Sequence, residues 1–125
     1  MDKSKKTEII WLPDVEEHDY PAAESYLRLL YREDSVADMI MRFRSAAITQ
    51  FKAKDIFRAS HLSLLGVSNL HVEKDRKKIL KGISLSPLLL LRDETNGKVV
   101  IADGYHRLCA IYEIDEDALI HCKII

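Results

Sequence analysis

Glycine, proline, cysteine and tryptophan are all scarce in this sequence of 125 residues, which contains 4, 3, 2 and 1 of them respectively. Two cysteines are too few for a disulfide framework. Cys109 and Cys122 each have apolar neighbours, so we expect both to be small buried hydrophobic residues. Because no Cys-x-x-Cys or Cys-x-x-His spacing occurs, the sequence argues against a structural zinc site.

A long apolar run and an excess of one charge are also absent. The basic N-terminal segment is followed by only four apolar residues, 9–12, which are too few for a signal peptide or a membrane span. We therefore expect a cytoplasmic protein with no membrane partner. Lys and Arg number 19 against 20 Asp and Glu, and the formal net charge is −1. This balance disfavours a nucleic-acid partner, which would call for a basic excess.

The sequence is nevertheless rich enough in apolar residues to form a core. Hydrophobic residues make up 47% of the chain, which suits one buried core in a domain of this size. We expect residues 1–20 to form an extended arm and residues 21–125 to form a single domain. Apolar residues at helical spacing predict a helical hairpin over 21–45, with Asp19 capping its first helix at Pro21.

Strand and helix patterns alternate after the hairpin. The predicted elements are a strand over 48–51, helices over 52–60 and 71–81, a strand over 87–92, a returning strand over 98–102, a helix over 105–113 and a strand over 119–125. Asn96-Gly97 is the hairpin turn, and the run of four leucines at 88–91 indicates a strand buried on both faces. The prediction is an α+β domain with a mixed sheet and surrounding helices.

Residues 102–110, Ala-Asp-Gly-Tyr-His-Arg-Leu-Cys-Ala, carry the clearest chemical signal. A strand runs through Asp-Gly into a helix, whose first N–H groups lack partners and attract anions. Gly104 permits close approach of a ligand to the backbone. His106 and Arg107 place two potential cations where they oppose the helix dipole, unless a phosphate binds. Arg107 would then hold the phosphate in a bidentate manner, and His106 would donate a hydrogen bond or move a proton.

The same residues also allow a purely structural interpretation. Asp103 would cap the helix, and Arg107 would pair with an acid such as Asp115 or Glu116. The spacing alone does not separate this interpretation from the phosphate site.

A second charged group follows the strand over 48–51. Lys52 and Lys54 could neutralise phosphate charge, and Asp55 could hold a metal ion or act as a base, if this strand end lies near the phosphate turn. The alternative is a solvated helix face on which Asp55 pairs with Arg58 at the i, i+3 spacing.

Residues 82–124 resemble the ParB/sulfiredoxin-like superfamily. The matching elements are Gly82 at a helix end, the apolar strand with its proline at 87–91, the turn at Asn96-Gly97, the strand ending in Asp-Gly at 99–104, and the helix start at 105–110. The resemblance implies a small mixed α/β domain that binds nucleotide phosphates at the Gly-x-His-Arg turn, with ATP or CTP and Mg²⁺ as the ligands. It makes Gly104, His106 and Arg107 phosphate contacts and Asp103 the turn-former.

Three departures from that family limit what can be carried over. Tyr105 stands where sulfiredoxins place their reactive cysteine, which argues against sulfinic-acid repair. Leu108 replaces the second arginine of partition proteins, and the chain stops at Ile125 without their DNA-binding domain, so we expect no role in chromosome partitioning. The helical hairpin lies outside the family core, and we expect it either to cover the sheet or to form a homodimer.

The expected function is the binding, with hydrolysis or transfer, of a nucleotide or another phosphate-bearing small molecule, as in a phosphohydrolase or phosphotransferase. The residues predicted for phosphate binding are Gly104, Tyr105, His106, Arg107, Lys52 and Lys54, and those predicted for catalysis are His106, Asp55 and Asp103. Tyr105 would stack on a base or fill the place of the missing cysteine. Two alternatives stay open: a non-catalytic protein-interaction module that uses the hairpin, and a ParB-like nuclease or DNA-associated protein.

Overall fold

The computed structural model describes residues 7–66 and 68–125, so the first six residues of the predicted arm lie outside it. Within these residues the chain forms five α-helices and a four-stranded mixed sheet. The elements in chain order are α1 Asp19–Leu27, α2 Glu33–Ser45, β1 Thr49–Lys52, α3 Ala53–Ser60, α4 Leu70–Leu80, β2 Leu88–Asp93, β3 Lys98–Asp103, α5 Tyr105–Ile114 and β4 Leu119–Ile124. The predicted α+β class is confirmed.

The sheet has the strand order β1-β4-β2-β3. β2 and β3 form the antiparallel hairpin that Asn96-Gly97 predicts, and Gly97 adopts a positive φ of 62° in its turn. β4 lies parallel to β2, and β1 is antiparallel to β4. The two edge strands, β1 and β3, therefore run in the same direction and end at the same end of the sheet, but on opposite edges.

Helices cover both faces of the sheet. Leu88 and Leu90 of β2 pack into a core with α3, α4 and α5, whereas Leu89 and Leu91 pack into a second core with α1 and α2. All four side chains are almost fully buried. Successive side chains of a strand point to opposite faces, and here both faces are covered. The strand therefore has four consecutive leucines and no alternation of apolar and polar residues.

The helical hairpin forms one of these covers. Leu27, Val36 and Phe43 are at most 1% exposed and belong to the second core. Of the two roles expected for the hairpin, covering the sheet is therefore the one seen in the fold. Tyr26 and Leu30 also lie at helical spacing in the sequence, which predicts that they are buried with these residues, but both are exposed. None of the helices in the described part of the chain is long and apolar enough to cross a membrane.

The arm before α1 is attached along β4 and the segment before β2. Trp11 forms a parallel bridge with Leu85 and stacks on the ring of His121 at 5.1 Å between centroids. The buried Lys123 of β4 donates from Nζ to the Tyr20 hydroxyl at 3.1 Å, and the same atom lies 3.2 Å from Asp14 Oδ1. The described part of the arm is thus integral to the domain.

Asp19 differs from its predicted role as a helix cap. It is the first residue of α1, is 3% exposed, and makes no cap. Its Oδ2 accepts a hydrogen bond from the Ser86 hydroxyl at 2.6 Å and lies 3.6 Å from Nη2 of Arg107. The prediction that Asp19 caps the helix was wrong. A buried carboxylate without hydrogen-bond partners costs more free energy than a helix end without a side-chain cap, so Asp19 is used for these contacts instead.

Two leucines near the end of α1 test whether the hairpin is part of the folded core. Leu27 is fully buried and Leu29 is 83% exposed. We expect Leu27→Ala to lower the free energy of unfolding by about 2–5 kcal/mol because it leaves a cavity. The matched Leu29→Ala variant should change it by no more than about 0.5 kcal/mol. Chemical denaturation measures both, and equal effects would contradict the packing described above.

Candidate functional site

The predicted phosphate turn lines a cavity of about 210 Å³. One wall is the junction between β3 and α5, residues 103–107, and the other is a face of α4. The residues from α4 are His71, Lys74, Asp75 and Lys78. Their spacing of i, i+3, i+4 and i+7 places them on one side of the helix, and sequence reasoning had not assigned Lys74, Asp75 or Lys78 to the site.

Local capping sets the position of α4 at this cavity. Asn69 Oδ1 accepts hydrogen bonds from the backbone N–H groups of His71, at 3.0 Å, and Val72, at 3.2 Å. Val72 is fully buried against α5. His71 is therefore in the capped first turn and also in the site, since its ring lies 4.9 Å from the ring of His106.

Gly104 permits the sharp connection between β3 and α5. Its φ is +105°, a backbone conformation that residues with a side chain rarely adopt. A Cβ atom here would lie 2.5 Å from Leu88 Cγ and 2.9 Å from Nη2 of Arg107. The helix start consequently lies directly over β2, and only glycine fits at this position.

Arg107 is held by two carboxylates. Its Nη2 donates to Asp103 Oδ2 at 2.9 Å and lies 3.6 Å from Asp19 Oδ2. The side chain is 17% exposed, and its Nε is buried with no hydrogen-bond partner among the described residues. The pairing of Arg107 with Asp115 or Glu116 is therefore not the one observed, and Asp103 pairs with the arginine instead of capping the helix.

Burial raises the pKa values of both carboxyl groups that line the cavity. For Asp103, Arg107 opposes this effect and the neighbouring Asp19 adds to it. For Asp75, the nearby Arg107, Lys78, His106 and His71 oppose it. Protonation of either group would leave the cavity more positive. No group of three or more His, Cys, Asp or Glu residues suited to a metal ion occurs within residues 7–66 and 68–125.

His106 lines the cavity beside His71. Burial lowers its pKa, the neighbouring His71 lowers it further, and Asp75 opposes both. A lowered pKa favours the neutral imidazole, in which one ring nitrogen can accept a proton. This is the state that a general base in the cavity requires.

Tyr105 is fixed by the loop that follows α3. Its hydroxyl donates to the backbone carbonyl oxygen of Ser63, and its ring meets the edge of Phe57 at 6.5 Å between centroids. The side chain lines the cavity while its hydroxyl is engaged away from it. Cys109, one turn later, is fully buried, and burial raises its pKa.

The second charged group lies elsewhere. Lys54 Nζ is 2.7 Å from Asp117 Oδ1, and Nη2 of Arg58 is 3.6 Å from Asp55 Oδ1, the i, i+3 pair weighed above. Lys52 ends β1, which is separated from β3 by three strand-to-strand steps of about 4.8 Å each. Asp55 lines a separate, apolar cavity of about 240 Å³. The structure thus does not bring Lys52, Lys54 or Asp55 into the cavity at Arg107.

Gly104→Ala tests the close packing of the turn. The added methyl group would clash with Leu88 and require a strained backbone, so we expect a loss of about 3 kcal/mol or more in the free energy of unfolding. Gly97→Ala is the matched control, because Gly97 has a positive φ with nothing within 4 Å of the added atom. It should cost only about 1–2 kcal/mol. Similar losses in the two variants would show that the clash is relieved.

The lowered pKa of His106 predicts a pH dependence of stability. Below its ordinary pKa of 6.5 the unfolded chain binds a proton at this position more readily than the folded chain. This contribution therefore destabilises the fold as the pH falls from 7.5 to 5.5. We expect His106→Gln to lose less stability than the parent protein over this range, measured by chemical denaturation. An equal loss in the two proteins would contradict a lowered pKa of His106 in the folded chain.

Comparison with known proteins adds no relative. No family model matches the sequence, and no curated protein or solved structure is significantly similar to it. The chemistry of the α4–α5 cavity is therefore the basis on which a function can be proposed.

Proposed function

We propose that the chain binds a nucleotide or another phosphate-bearing small molecule in the cavity between α4 and the start of α5. The observation that carries this proposal is the convergence of Lys74, Lys78 and Arg107 on one cavity at the N-terminus of α5. The first N–H groups of a helix have no partner within it and lie at the positive end of its dipole. The N-terminus of α5 and the three cationic side chains therefore all favour binding of an anion.

The charges of the cavity support an anion more than a cation. The cations Lys74, Lys78 and Arg107 outnumber the carboxyl groups Asp75 and Asp103, both of which have raised pKa values. Lysine binds phosphate as a point charge, and arginine binds it with a planar fork. The carboxylate of Asp103 already engages that fork at 2.9 Å. A phosphate would exchange with it as the partner of Arg107.

The same cavity provides groups for hydrolysis or transfer. A neutral His106 would accept a proton from the attacking hydroxyl or water. Mg²⁺ binds through one or two carboxylates together with phosphate oxygens, so the pair Asp75 and Asp103 suits a Mg²⁺ ion that arrives with ATP or CTP. We further propose membership of the ParB/sulfiredoxin-like superfamily, because its phosphate turn would coincide with residues 103–107.

Isothermal titration calorimetry with ATP, CTP and ADP, with and without Mg²⁺, tests the proposal. Lys78→Gln removes one cation from the cavity, and Lys77→Gln removes the neighbouring lysine of the same helix, which does not line it. A charge-assisted hydrogen bond contributes about 1.5–3 kcal/mol, so we expect Lys78→Gln to weaken binding about tenfold or more. The Lys77→Gln variant should bind like the parent protein, and binding should weaken as salt is added.

Two results would contradict the proposal. One is no heat of binding for any of these nucleotides at millimolar concentration. The other is an equal loss of affinity in the two lysine variants, which would indicate attraction by overall charge and not by the cavity.

A further inference from the structure

A second cavity of about 430 Å³ adjoins the first and shares four residues with it. The shared residues form the turn at 103–106. The remaining wall comes from α1, from the loop after α3 and from β3. Its residues are Ala22, Tyr26, Leu62, Ile101 and Ala102. One short turn thus separates a charged compartment from a largely apolar one.

The two compartments differ in what they can hold. Small-molecule pockets are usually about 300–1,000 Å³ and mostly apolar. The charged cavity of about 210 Å³ falls below this range and has polar walls, whereas the adjoining cavity lies within it. Of the described residues that line only the second cavity, Tyr26 alone has a polar side-chain group. Its walls therefore suit an uncharged group with flat apolar faces.

Two of these wall residues are large hydrophobic side chains exposed to solvent. Tyr26 is 43% exposed and Leu62 is 46% exposed, although the helical pattern of α1 predicts burial of Tyr26. They come from different parts of the chain, and both face the shared turn. Large exposed apolar side chains around a concave surface are typical of ligand-binding pockets. An aromatic ring such as that of Tyr26 can stack on any base.

We propose that the second cavity holds the aromatic ring of the ligand, so that the ligand is a nucleotide or another aromatic phosphate ester and not inorganic phosphate or a small hydrophilic phosphate. This inference rests on the proposed function, because the phosphate group must occupy the cavity at Lys74, Lys78 and Arg107. The ring then lies against Tyr26 and Leu62, on the other side of Gly104. Since stacking does not distinguish bases by hydrogen bonds, purine and pyrimidine nucleotides bind with similar affinity.

Calorimetry with two matched probes, ATP and inorganic tripolyphosphate, tests this inference on the full chain. Both carry three linked phosphates, but only ATP has a ring. We expect ATP to bind about tenfold or more tightly than tripolyphosphate, since stacking one base contributes about 1–3 kcal/mol. Tyr26→Ala should remove most of this advantage and leave the affinity for tripolyphosphate unchanged. Leu62→Ala is a second variant of the same wall and should act in the same direction.

Leu30→Ala is the matched control, because Leu30 is exposed, follows the same helix and does not line the cavity. It should bind both probes like the parent protein. Equal affinities for ATP and tripolyphosphate in the parent protein would overturn the ring site while leaving the phosphate site intact. A parallel loss for both probes in Tyr26→Ala and Leu62→Ala would overturn it as well. Absence of binding by either probe would instead overturn the proposed function, and the ring site with it.

Discussion

The arrangement of the site depends on one buried interaction, the guanidinium of Arg107 held between Asp103 and Asp19. Asp103 ends β3, Arg107 lies in the first turn of α5, and Asp19 begins α1. Ser86, just before β2, donates to Asp19 at 2.6 Å. Three segments that are distant in sequence, at residues 19, 86 and 103–107, thus meet at one charge. Removal of Arg107 would leave two largely buried carboxyl groups without their cation, which is costly in a medium of low polarity.

This interaction also explains the character of the cavity above it. Asp19 and Asp103 are both largely buried near a single arginine. Burial raises the pKa of Asp103, Arg107 opposes this effect, and the neighbouring Asp19 adds to it. Lys74 and Lys78 of α4 face the same space and are not the residues that neutralise this pair. An anion in the cavity would form ion pairs with the two lysines and would compete with Asp103 for Arg107. The proposed binding of an anion at the cavity would therefore be coupled to the junction of α1, β3 and α5.

Much of the fold could be predicted because the signals are local. The leucines of β2, the Asn96-Gly97 turn and the pattern of α2 each depend on a few neighbouring residues. The turn at Gly104 was recognisable for the same reason, since a strand, Asp-Gly and a helix start follow one another directly. The strand and helix that contain Lys52 and Lys54 were also predicted correctly as elements.

What could not be predicted depends on strand order and on contacts between distant segments. Lys52 ends β1 at the same end of the sheet as Asp103, and Lys54 lies in the helix that follows, but strand order puts β1 on the opposite edge. Asp19 has an ordinary capping pattern in sequence and joins the site only through tertiary contacts. The face of α4 could be predicted only in part. The spacing of His71, Lys74, Asp75 and Lys78 places them on one side of a helix, but it does not show that this side lies against the start of α5.

The central claim is that the junction of α4 and α5 is an anion site, and a crystal structure of the chain grown with ADP tests it most directly. The account predicts phosphate oxygens within hydrogen-bond distance of the first N–H groups of α5 and of Lys78, with the guanidinium of Arg107 turned from Asp103 toward them. A nucleotide bound at another surface, with the contact between Arg107 and Asp103 unchanged and the cavity filled only by water, would contradict it.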